Sequence, residues 1–107
     1  MTPTILLRLV ADFFAGAFLC NAIPHLVSGL RGEPFPSPFA RPPGRGNSNP
    51  VVNFLWGFLN LVIALALLGF ARIEIGLYTP LILFLLGFFL LGLMSARHFG
   101  TVRSGQQ

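Results

Sequence analysis

Residues Pro50–Phe70, PVVNFLWGFLNLVIALALLGF, carry no charge over twenty-one consecutive positions. A helix of that length, rising ~1.5 Å per residue, is about 31 Å long, close to the ~30 Å hydrocarbon thickness of a bilayer. A helix on a soluble domain would show a polar face. This one offers only Asn53 and Asn60. The stretch reads as a transmembrane helix, and the rest of the chain can be placed relative to it.

Composition supports lipid as the solvent. Charged residues make up 9% of the 107 positions and hydrophobic residues 54%, against roughly 25% charged in an average soluble domain. So few polar groups cannot cover that much apolar surface in water. The net charge of +4 comes from seven arginines and no lysine. These are scattered between apolar runs and form no face, so they do not point to nucleic acid. They read as a topology signal and as attraction to anionic headgroups. The single cysteine, Cys20, lies inside an apolar span, so no intrachain disulfide or cysteine metal cluster is expected.

Upstream, residues 4–23 form a first span, interrupted by Arg8 and Asp12. It is not expected to be a cleaved signal. A basic leader is nearly lacking, an acid sits where an uninterrupted apolar core belongs, and Leu19 precedes Cys20 where a lipoprotein signal needs a small residue. Pro24 is expected to kink or end the helix, with a possible continuation to residue 30. Residues 31–49 form the one long polar stretch, with five of the nine prolines and three arginines. Such proline density disfavours a helix and favours extended segments. Two readings follow: a linker lying on the membrane with Phe35 and Phe39 dipping into the headgroups, or a structured loop packed on helix ends. Asn49-Pro50 is a helix cap followed by proline at the first helical position, and Thr79-Pro80 repeats it. Residues 71–78 are a short connection, a third span covers 80–98, and the tail beyond it is expected to fray.

The expected architecture is therefore all-α, a small polytopic membrane protein with three transmembrane helices and one Pro/Arg-rich cytoplasmic loop. With three spans, the 31–49 loop and the C-terminus share a side and hold Arg31, Arg41, Arg45, Arg97 and Arg103. The other side has Arg8 and Arg72. Five against two puts the loop in the cytoplasm and the N-terminus outside, taken as the orientation in a bacterial inner membrane.

A few polar residues are expensive enough in hydrocarbon to need a reason. Arg8 and Asp12, four apart, share a helix face and are expected to pair. An acid at that depth costs about 2.5–3.5 kcal/mol on insertion scales. Small residues on the same side (Ala11, Ala15, Gly16, Ala22) let a neighbouring helix come close. Asn53, Gly57, Asn60 and Ala64 form a matching stripe on the second helix, so the Arg8/Asp12 face is expected to pack on the Asn53/Asn60 face. His25 and His98 reach equal depth at the loop side, near Arg31 and Glu33. They are candidates at the interface, but without local ligand spacing no metal and no cofactor is expected. No phosphate loop, nucleophile elbow or carboxylate dyad is present in the sequence.

Three functional classes remain. The first is a protein acting by helix contacts, as a homo-oligomer or an accessory subunit of a membrane complex, and this is the preferred reading. The second is an oligomeric transporter or channel with Asp12 and Asn60 in its path. The third is a membrane enzyme acting on lipid or quinone. Expected partners are the bilayer with its anionic headgroups, and either another copy of the chain or another membrane protein.

Overall fold

The computed structural model describes residues 2–72 and 78–105. Among these the chain is all-α apart from one short strand pair. The elements are α1 (Pro3–Leu30), β1 (Phe35–Pro36), β2 (Asn47–Ser48), α2 (Pro50–Ala71) and α3 (Tyr78–Gly105). All three helices are long and apolar enough to cross a membrane. The molecule measures 49 × 23 × 21 Å. It is longer than the ~30 Å hydrocarbon core, so an end of the bundle stands beyond it.

Each helix start has a local cause. Thr2 caps α1 by accepting from Ile5 N at 3.2 Å, and Pro3 occupies the first turn. Asn49 caps α2 by accepting from Val52 N at 2.9 Å, with Pro50 following. At the end of α1, Gly32 takes φ +70° and two backbone bonds close the helix, Glu33 N to Ser28 O and Gly32 N to Gly29 O. This paired closure needs a left-handed residue after the cap, where glycine pays no Cβ penalty. Arg72 ends α2 in the left-handed region, φ 53°.

Of the two expectations about helix ends, one holds in its longer form and one is corrected. Pro24 does not end α1, which takes the continuation to Leu30. Proline removes one backbone bond, and the turns beyond it are held from outside by α2. The tail does not fray after His98 either. α3 continues to Gly105, with Val102 buried and Phe99 packed on Phe35, ring centroids 4.7 Å apart. Contact with the strand pair outweighs the weak helix propensity of Gly100 and Thr101. The described part of α3 begins at Tyr78, so Thr79 sits in its first turn rather than ahead of it. Most of the expected 71–78 connection, with Glu74, lies outside the described residues.

α1 is the central rod. It packs along both other helices, while α2 and α3 scarcely touch each other. The two contacts differ in kind. Against α3, α1 comes backbone to backbone: a Cβ on Gly16 would run into the carbonyl of Phe84, and one on Gly87 into the carbonyl of Phe13. Where lipid is as apolar as leucine, such close approach supplies the attraction through dispersion and Cα–H···O contacts. Against α2, Gly57 faces Ala22 and Leu26, and Gly29 faces Pro50 and Phe54. Here buried amides join in.

Residues 31–49 form a structured cap rather than a linker. β1 and β2 pair antiparallel, Phe35 opposite Ser48 and Pro36 opposite Asn47. Ser37 Oγ and Ser48 Oγ share a hydrogen bond of 2.6 Å, and Ser37 O accepts from Gly44 N at 2.8 Å. Prolines forbid a helix but not this compact turn, because side chains and scattered carbonyls supply the bonds.

Candidate functional site

The buried stripe on α2 is Asn53, Gly57, Asn60, Ala64 and Ala71. Asn53, wholly buried, is a junction. Its Nδ2 donates to Phe35 O, Ser48 O and Asn49 O at 3.0, 3.1 and 3.2 Å. Those three bonds fix which end of the amide is oxygen, so Oδ1 is the acceptor for His25 Nδ1–H, 2.8 Å away. One side chain thus ties α1, α2 and both strands together. One turn further along α2, Trp56 lies edge-on to His25 and to Phe39, with centroids 6.4 and 5.3 Å apart. Asn60 Oδ1 accepts from Asn21 Nδ2 at 3.0 Å, and its own Nδ2 donates back to Trp56 O at 2.7 Å.

The partner of this stripe is therefore Asn21/His25, and the expected Arg8/Asp12 pairing with it does not form. The reason is register. If Pro24 ended the first span, Asp12 and Asn60 would share a depth. Because α1 continues to Leu30, Asn21 meets Asn60, and Asp12 falls near the far end of α2.

Arg8 and Asp12 do not form the expected ion pair either. Among the described residues the only salt bridge joins Arg31 and Glu33, 3.1 Å apart with both side chains more than half exposed, and such a surface pair adds little. Asp12 is 1% exposed, yet its Oδ1 has no hydrogen-bond partner, and neither has the buried Nε of Arg8. Both line a cavity of about 450 Å³ bounded, among the described residues, by Leu9, Ala71, Arg72 and Thr79. Between this end and Asn21, α1 buries only Ala15 and Gly16. The intramembrane polar groups thus form two separate clusters, Arg8/Asp12 beside the C-terminal end of α2 and Asn21/His25/Asn53/Asn60 from the middle of α2 to the cap, not one path.

His25 and His98 sit at the same end but take different roles. His25 is 2% exposed and locked by Asn53. His98 is exposed, and its Nε2 donates to Gly44 O at 2.6 Å, pinning the loop to α3. No cluster of three or more possible metal ligands occurs among the described residues. Phe35, expected at the headgroups, turns inward against His25 at 5.4 Å. Sequence reasoning missed Asn21, Ser37 and Ser48. Asn21 carried a usable signal, since it precedes His25 by four and mirrors the spacing of the α2 stripe.

No known protein family, curated protein or solved structure matches the chain.

Proposed function

We propose that this small integral membrane protein acts by helix contact, as a homo-oligomer or as an accessory subunit of a larger membrane complex. Its loop and C-terminus face the cytoplasm of a bacterial inner membrane, and its N-terminus faces outward. The orientation rests on arginine counting: Arg31, Arg41, Arg45, Arg97 and Arg103 share one end and Arg8 and Arg72 the other.

The observation that carries the contact reading is Asp12. A carboxylate oxygen buried at membrane depth without a donor is costly, and the described residues provide none beside an open cavity. A donor from a second chain, entering next to Arg8, completes the site. The split of the polar groups into two clusters weighs against a conducting path through one copy. Separately, Asn21, Asn53, Asn60 and His25 are spent holding the bundle and its cap together.

The test is Asp12→Asn in protein extracted with gentle detergent at native expression. Wild type is expected as a complex larger than one chain, by native mass spectrometry, and the variant as a dispersed single chain. A wild-type protein that runs alone, or a variant complex of unchanged mass, would refute the reading.

A further inference from the structure

The turn of residues 37–46 does not project from the end of the bundle. It folds back along it. Phe39 packs edge-on against Trp56, ring centroids 5.3 Å apart, and Trp56 lies six residues into α2, about 9 Å at ~1.5 Å per residue. On the other flank Gly44 O accepts from His98 Nε2 at 2.6 Å. His98 stands about 10 Å short of the described end of α3, again at ~1.5 Å per residue. α2 is about as long as the ~30 Å hydrocarbon core is thick. A side chain level with Trp56 therefore falls within the ~5–10 Å that interfacial apolar groups reach into the headgroup and acyl boundary.

What the turn shows at that level is an open ring among cations. Phe39 is 63% exposed, and Val51 and Leu55 in the first turns of α2 are exposed as well. Arg41 and Arg45 flank the turn, which is closed by Arg45 N and Gly46 N donating to Pro42 O at 3.0 and 2.8 Å. The bond from His98 brings this turn to α3 beside Arg97. All three arginines are exposed. Glu33, the acid of this end, is engaged by Arg31 at 3.1 Å, and among the described residues no acid pairs with the other three. Arginine stems lie along apolar surface while their heads reach polar groups, and guanidinium matches phosphate in bidentate geometry. An acidic soluble protein would meet the arginines and leave Phe39 uncovered. A phospholipid uses both, with phosphate on the cations and acyl chain on the ring.

We propose that this turn is a binding site for anionic phospholipid in the leaflet on the capped side, the phosphate held by Arg41, Arg45 and Arg97 and the start of an acyl chain lying on Phe39. The site is separate from the Asp12 end. It needs neither a given orientation of the chain nor a given oligomeric state.

Trp56 is the sole tryptophan and lies against Phe39, so brominated acyl chains held at this turn quench its emission. The intact chain is reconstituted in phosphatidylcholine vesicles carrying a minor share of brominated phosphatidylglycerol or, in a parallel set, of brominated phosphatidylcholine. Each arginine near an anionic surface contributes about 1 kcal/mol, or about fivefold at 1.4 kcal/mol per decade. Phosphatidylglycerol is expected to be preferred tens-fold at low salt, and the preference to fall steeply at 1 M salt, where the Debye length is about 3 Å. Arg41→Gln, Arg45→Gln and Arg97→Gln should each lower it about fivefold, and lysine at the same positions, keeping the charge, should retain most of it. Arg103→Gln, about 9 Å further out along α3, should change it by less than about twofold. An unchanged emission maximum without bromine shows that each variant keeps Trp56 in its packing. Equal quenching by the two lipids in the wild type, a preference indifferent to salt, or a loss with Arg103→Gln as large as with the other three would overturn the proposal.

Discussion

Replacing Asn53 by alanine should release the cap while leaving the helices in place. The substitution deletes the acceptor of His25 Nδ1–H, a donor buried beneath the cap. An orphaned buried donor costs about 1–3 kcal/mol. It also deletes bonds to Phe35 O and Ser48 O, worth about 0.5–1.5 kcal/mol each. The third, to Asn49 O, is redundant because that carbonyl already accepts from Asn53 N at 3.1 Å. Alanine's better helix propensity returns at most about 0.7 kcal/mol. The balance is about 3 kcal/mol, or roughly a hundredfold at 1.4 kcal/mol per decade. Most of it falls on the closed state of the loop, since the three groups that lose bonds are the two strands and the imidazole beneath them. Tryptic cleavage at Arg45–Gly46 in detergent is a direct assay. Arg45 is exposed, but cleavage needs the segment to leave Ser37 and His98. When reclosing is fast, the rate follows the open population. Asn53→Ala should be cut tens to a hundred times faster than wild type. A rate within about threefold would mean that the amide does not hold the cap.

Three further outcomes follow from the packing. Gly16→Ala and Gly87→Ala should each lower thermal stability in detergent, by about 1–3 kcal/mol of overpacking, because each new methyl meets a backbone carbonyl of the other helix; an unchanged melting temperature would contradict the close α1–α3 approach. Gly69→Ala should do the reverse, adding up to about 1 kcal/mol from helix propensity, since nothing lies within 4 Å of its Cβ position; a loss of stability on melting would count against that open placement. Gly57→Leu should wedge α1 from α2 at Leu26 and Ala22, seen as lower membrane yield, and a wild-type yield would show that the helices do not meet there.

The α2 side of the site was legible because it follows helical periodicity: Asn53, Gly57, Asn60 and Ala64 repeat at four, three and four, and all four are buried. The α1 side was misread through one residue. The continuation past Pro24 was left open, but depths were counted on the shorter span, which shifted α1 against α2 and put Asp12 where Asn21 belongs. Proline breaks one local bond, and the decision to continue was made by contacts some thirty residues away, which local reading does not see. The same holds at α3, where Phe99 and Val102, three apart on one face, signalled a continuing helix beneath a run of small polar residues. The cap was illegible for a stronger reason. Its fold rests on a hydrogen bond between the hydroxyls of Ser37 and Ser48 and on an amide borrowed from α2, neither of which leaves a periodic trace.

The bond between His25 and Asn53 spans 28 residues of chain, and that separation has a cost in time. At roughly 5–20 residues per second of synthesis, Asn53 is made about 1.5–6 s after His25. Through that interval the newborn α1 carries an imidazole and the Asn21 amide with no neighbour to receive them. The first span is therefore expected to wait beside the insertion machinery instead of entering lipid alone. Crosslinking from position 21 in ribosome-stalled chains should show it released only after α2 has emerged.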